Sequence, residues 1–201
     1  MLGDPGGASK FWGRQHGDDC TLMAVADVVG ELTGSKPAES EVLALAAALP
    51  NDRHSGPIYT AAEAGATTVS RRDQLPGLLD LPVLLANYGL RAIATDDAVA
   101  AGGGLPTGMP GLEAALGAGK KVIVSINGET IWGQSGDRTL HDHAVVVTGT
   151  DSAAGIVHLN DSAIPSPGPD SQISYATFET AWATSNHAML VIERAAPGRS
   201  D

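Results

Sequence analysis

The sequence has a single cysteine, Cys20, among 201 residues. One thiol cannot form an intramolecular disulfide, and it leaves no zinc site built from several cysteines. Aromatic residues make up only 4% of the chain, so aliphatic side chains and alanine must fill most of the core. Cations are scarce: 12 Lys and Arg stand against 23 Asp and Glu, for a formal net charge of −11. Such a balance repels phosphate and argues against a nucleic-acid or anionic-membrane partner. No run approaches the ~20 consecutive apolar residues that a membrane-spanning helix needs. Met1 to Lys10 is Gly-rich and lacks a basic stretch followed by an apolar one, so no signal peptide is read there. The expectation is a soluble protein, cytoplasmic or exported by a non-classical route.

With 43% hydrophobic and 17% charged residues, the composition is globular rather than disordered. The length suits one well-filled core. A single domain over residues 11–194 is expected, with a flexible lead-in over 1–10 and a disordered tail over 195–201.

Hydrophobic periodicity and local stop signals give the elements. Asp18 or Asp19 caps a helix over about 19–33, with apolar residues at helical spacing and Gly34 as its stop. A second helix runs over about 37–49 and ends at Pro50. A short helix falls within 75–88, followed by a strand over 90–95. Residues 98–110 are rich in Gly and Pro and read as a loop. A short helix follows over 110–116, then a strand over 122–126. Residues 127–139 form a polar loop carrying Trp132. His143–Thr148 and Ile156–Leu159 read as the two strands of a hairpin. A Pro-containing loop spans 161–170. A helix then opens at Ser174 with Phe178 and Trp182 on its core face, and a last strand covers 188–193. Helices come first and antiparallel strands later, the order of an α+β fold rather than of alternating βαβ units.

Four residues form a candidate nucleophile system. Cys20 opens a helix, where the dipole and unpaired N–H groups favour thiolate. Asp18 and Asp19 work against that by their charge. On its own, Cys20 reads equally well as a small buried core residue. His143 leads an apolar strand, a rigid mount for a base facing a cleft. Asp161 ends the next strand and is placed to accept the imidazole N–H and fix its tautomer. Asn160 competes for that role, since an amide can do the same job; strand alternation sends the two to opposite faces, so only one can serve. Gln15, five residues before the cysteine, carries an amide that can join the Cys20 N–H in stabilising an oxyanion. Trp132 is a candidate cleft wall. His141 and His143 share a strand face and raise a metal site as the minor alternative, without any familiar zinc spacing. His16 and His54 read as surface residues.

Gln15, Asp19-Cys20, the run His143-Ala-Val-Val-Val-Thr-Gly and the run His158-Leu-Asn-Asp161 together resemble the C39 and C39-like cysteine peptidases of the papain-like superfamily. The resemblance covers about the first thirty residues and the chain from Val122 onward. It implies a papain-like fold, with a helical N-terminal part, the nucleophile at a helix N-terminus and an antiparallel sheet in the C-terminal part. It also implies Cys20, His143 and Asp161 as catalytic residues, Gln15 as oxyanion donor, a peptide or protein substrate and no cofactor or metal. Three positions depart from the pattern. Gln15 lies one residue closer to the cysteine, Thr21 replaces the usual glycine, and Ser162 replaces the proline after the aspartate. No P-loop pattern is present, so the ATP-driven export machinery that accompanies part of that family does not follow. A silent peptidase-like binding domain, or acyl transfer to an amine, remains the competing class.

Overall fold

A computed structural model describes residues 1–53, 55–60, 77–164 and 168–196. Seven strands form one antiparallel sheet: β1 (Leu2–Gly3), β2 (Leu90–Thr95), β3 (Lys121–Ile126), β4 (His143–Asp151), β5 (Ile156–Asn160), β6 (Ser171–Ser174) and β7 (Met189–Arg194). Their order is β2-β7-β3-β4-β5-β6, with β1 added against the end of β4. Among the described residues the α-helices are α1 (Pro5–Ala8), α2 (Cys20–Thr33), α3 (Glu39–Ala48), α4 (Leu81–Ala86), α5 (Asp97–Ala101), α6 (Gly108–Gly117), α7 (Gly128–Trp132) and α8 (Tyr175–Trp182). The arrangement is α+β, as the order of elements in the sequence implies.

The sheet is covered on both faces, and its central strands alternate between two cores. Ile123, Ala144, Val146, Leu190 and Ile192 pack with α2, α3 and α4. Val122, Val124, Val145, Val147 and Met189 pack on the other side with α6 and with Phe178 and Trp182 of α8. Burial on both faces explains why β4 reads as an unbroken apolar run instead of alternating. Phe178 and Trp182 are fully buried, so two of the few aromatics anchor the second core.

Helix α2 ends where expected, at Gly34, whose φ of 83° is the left-handed conformation that glycine adopts without a Cβ penalty. Its start differs in one respect: Asp19 occupies the cap position but its side chain makes no capping bond. Helix α3 is capped through Glu41, which accepts from the Ala38 N–H.

The flexible lead-in is overturned. Leu2 and Gly3 pair with Thr150 and Gly149 of β4, and Asp4 caps the short helix α1. Gly3 permits this because its backbone lies so close to Thr148 O that a Cβ would collide with it. The loop expected over 98–110 contains part of α5, whose N-cap is Asp96, and the start of α6. Residues 127–139 contain α7, capped by Asn127. Strand β6 had no signal in the sequence: its four residues, Ser-Gln-Ile-Ser, form an edge strand that buries little. His54 and the tail from residue 197 lie outside the described residues.

Candidate active site

Cys20 is the first residue of α2, so its own N–H and those of the next residues lack intrahelical partners. His143 opens β4 and pairs with Ile126 at the end of β3. Asn160, the last residue of β5, pairs with Val146. The hairpin therefore brings Asp161, one residue past β5, to the end of the sheet where His143 begins. All three side chains are buried: Cys20 is 7% exposed, His143 5% and Asp161 0%.

The His143 ring stands between Asp161 and Cys20. Nε2 donates to Asp161 Oδ1 at 2.8 Å. Cys20 lies within hydrogen-bond reach of the same ring. The Ala144 backbone N–H also points to the sulfur. Asp161 is clamped in turn. Its Oδ2 accepts from Trp132 Nε1 at 2.9 Å, and Oδ1 also accepts from the Ala163 N–H at 2.9 Å. The Trp132 ring covers His143, with centroids 5.0 Å apart and planes tilted by 53°.

Burial alone would push the Cys20 thiol up. The His143 charge and hydrogen bond, with the Ala144 N–H, outweigh that and hold it below its ordinary value. Burial works against His143⁺ as well, but the facing Cys20 and Asp161 raise the imidazole to about 10. For Asp161 burial again raises, and the His143 and Trp132 hydrogen bonds overcome it, leaving the carboxyl below the usual range. The thiol is lowered, the imidazole raised and the carboxyl lowered, the directions that favour a thiolate–imidazolium–carboxylate chain.

Packing places the two aspartates beside Cys20 in different surroundings. Asp18 is exposed. Asp19 is 3% exposed and rises to about 6, first from burial and then from its hydrogen bond with Glu39. Burial works against the Glu39 carboxylate, but its bonds with Asp19 and His16 outweigh that and hold it low, so of the two it is Asp19 that binds a proton more readily as pH falls. His16 is exposed, as expected for a surface residue, and pairs with Glu39 through both its ring and its backbone N–H.

Gln15 lies against the residue after Asp161. Ser162 Oγ donates to Gln15 Oε1 at 2.8 Å, and the Gln15 N–H donates to Ser162 O at 3.0 Å. One hydrogen of the Gln15 amide is committed to Gly17 O at 2.7 Å. Two departures from the family pattern, the shifted glutamine and the serine at 162, thus meet in one hydrogen bond. Trp12 was not singled out from the sequence, yet its Nε1–H donates to Asp161 O at 2.7 Å. Only the folded N-terminal segment brings it there, and no spacing motif marks it.

Asn160 turns away from the cleft. It donates to Ala8 O at 3.0 Å and bonds Asp27, on the face opposite Asp161. His141 is exposed and turned to Thr184 O, and His158 pairs with Asp170. Among the described residues no three metal-ligating side chains converge. A cavity of about 310 Å³ opens on Cys20, Thr21, His143 and Ala144.

No protein-family model matches the chain. The uncharacterised protein Rv1268c of Mycobacterium tuberculosis (strain ATCC 25618 / H37Rv) is 47% identical over 197 residues, covering 95% of this chain and 84% of its own length. The uncharacterised protein Mb1299c of Mycobacterium bovis matches to the same extent, 47% over 197 residues. Among solved structures, one described as a C39-like peptidase from Bacillus anthracis superposes with a TM-score of 0.61 at 18% identity, over 96% of this chain and 97% of that one. A double glycine motif protease from an AMS/PCAT transporter, in complex with its leader peptide, gives 0.51 at 14% identity, over 90% and 89% of the two chains. The chain belongs to one family with these uncharacterised mycobacterial proteins, and its fold is that of the C39-like peptidases.

Proposed function

We propose that the protein is a thiol-dependent hydrolase that cleaves peptide bonds through an acyl-enzyme. The observation that carries this reading is the buried chain from Cys20 through His143 to Asp161, closed over by Trp132. A structural cysteine has no need of an imidazole that is itself anchored to a buried carboxylate.

In this reading the Cys20 thiolate adds to the scissile carbonyl carbon, and the C=O electron pair moves to oxygen. The Cys20 N–H and the free amide hydrogen of Gln15 stabilise that oxyanion. As the tetrahedral intermediate collapses, the C–N bond breaks and the His143 imidazolium protonates the leaving amine. Water, deprotonated by His143, then hydrolyses the thioester and restores the thiol. Asp161 holds the imidazole in the required tautomer.

The test is hydrolysis of a peptide mixture together with thiol labelling. Cys20→Ala is expected to abolish both. Residual hydrolysis at the wild-type rate would refute the proposal. The competing reading, a silent binding domain on the same scaffold, draws on the Gln15 amide being partly committed to Gly17. The pH dependence of Cys20 alkylation separates the two. An activated thiol labels well below pH 8, whereas a silent one follows the ordinary thiol midpoint near ~8.5.

A further inference from the structure

The cavity at Cys20 and His143 continues into a second one of about 430 Å³, the two sharing Gly77, Leu78, Ser125 and His141 as walls. Five large apolar side chains are exposed among the described residues. Two, Met1 and Leu2, lie at the N-terminus, and the other three, Leu79, Val99 and Leu140, line this groove. Exposed apolar side chains gathered along a concavity that leads to a nucleophile mark a surface built for a ligand.

The outer cavity is also acidic. Asp80 and Asp96 line it, against Arg53 as the one cation among its described lining residues. Each aspartate commits one oxygen to a helix start. Asp80 Oδ2 accepts from the Gly77 N–H at 2.9 Å, and Asp96 Oδ1 accepts from the Val99 N–H at 2.8 Å. The second oxygen of each takes no hydrogen bond from the described residues.

We infer that this groove selects peptides carrying a lysine or arginine side chain, the aliphatic stem lying along Leu79 and Val99 and the charge beside Asp80 and Asp96. The inference rests on the reading of Cys20 as a nucleophile and names the substrate class for that site. Lysine and arginine are the side chains that pair a long apolar stem with a cationic head. A neutral aliphatic side chain would cover the same walls but leave two carboxylates facing Arg53 as the one cation among the described lining residues. An acidic peptide would meet repulsion from them and from the net charge of −11, which instead draws cations in.

The test uses tripeptide chloromethyl ketones with lysine at each position in turn, each matched to a reagent carrying norleucine there. The single thiol displaces chloride to form a thioether; intact mass reads the extent of labelling, and its loss in Cys20→Ala assigns it to the thiol rather than to a histidine. One lysine reagent is expected to label about tenfold faster than its norleucine match, the gain of one charge-assisted contact. High salt shrinks that advantage. Asp80→Asn and Asp96→Asn keep a side-chain oxygen for the helix start and remove the charge, so at least one of them abolishes the preference. Equal rates at all positions, faster labelling by norleucine, or a lysine preference untouched by both substitutions would each overturn the inference. These reagents alkylate any accessible thiol, so the comparison stands whether or not Cys20 is activated. A free-thiol profile with iodoacetamide would count against the hydrolase alone.

Discussion

Replacing Asp161 by asparagine tests the chain that activates the thiol. Asp161 is 0% exposed, and everything its carboxylate touches is a donor: His143 Nε2 and the Ala163 N–H at Oδ1, and Trp132 Nε1 at Oδ2. An asparagine offers one acceptor oxygen and one amide nitrogen. If the oxygen keeps His143 and Ala163, the NH₂ faces the indole N–H, which can only donate. One buried hydrogen bond is lost, at a cost to stability of about 1–3 kcal/mol. The larger effect is electrostatic. The imidazolium loses a carboxylate in direct contact, a change that moves a neighbouring pKa by about 1–3 units. At 1.36 kcal/mol per unit, the thiolate–imidazolium pair weakens by about 1.4–4 kcal/mol relative to its neutral form. The sign follows from Asp161 raising His143: without it the imidazole falls, and the thiol it stabilises rises. Iodoacetamide labelling of Cys20 followed against pH is therefore expected to show its midpoint displaced upward by about 1–3 units in Asp161→Asn, with hydrolysis falling about 10- to 1,000-fold at neutral pH. Circular dichroism checks that the variant is folded. An unchanged midpoint in a folded variant would refute the claim that Asp161 supports the ion pair.

Trp132→Phe keeps a ring over His143 but removes the N–H at Asp161 Oδ2; the alkylation midpoint should shift in the same direction as in Asp161→Asn and by less, and a larger shift would contradict the assignment of the main charge to Asp161. Gln15→Ala should reduce kcat by about 100- to 1,000-fold if its amide serves the oxyanion, while alkylation by iodoacetamide, which forms no oxyanion, stays at the wild-type rate; loss of both would point to a structural role through Ser162. Asp27 rises from 3.8 to about 7, first because it is buried, against the opposing pull of Lys36. A carboxyl that binds its proton more tightly when folded withdraws stability as pH rises between those two values, so the urea midpoint of the wild type should fall across that window more steeply than that of Asp27→Asn; parallel curves would refute the assignment.

Much of the fold is legible because its long elements obey simple patterns. Helix α2 has helical spacing and a glycine stop, and β4 has consecutive β-branched residues. Elements built from tertiary contacts were not legible. Strand β1 has two residues and exists only because Gly3 tolerates the backbone of β4 against it. Helix α5 sits in a Gly-rich stretch and begins where Asp96 accepts from Val99. Strand β6 lies at the sheet edge, where burial imposes little alternation on its residues.

The candidate site divides the same way. Cys20, His143 and Asp161 are visible in the sequence because each sits at an end of a predictable element, and strand alternation correctly separates Asp161 from Asn160. Trp12 and the Gln15–Ser162 bond could not be read, because 149 and 147 residues of chain separate the partners and only the packed N-terminal segment joins them. The charges of Asp18 and Asp19 looked unfavourable for a thiolate on paper. Packing treats the two differently, exposing Asp18 to solvent and burying Asp19 beside Glu39, a residue of another helix, which raises it to about 6. The sequence by itself determined the chemical groups, the elements that carry them and the ends at which they stand. The tertiary structure decided which groups meet and what charge each holds, because hydrogen bonds and burial depend on distances that a linear order does not contain.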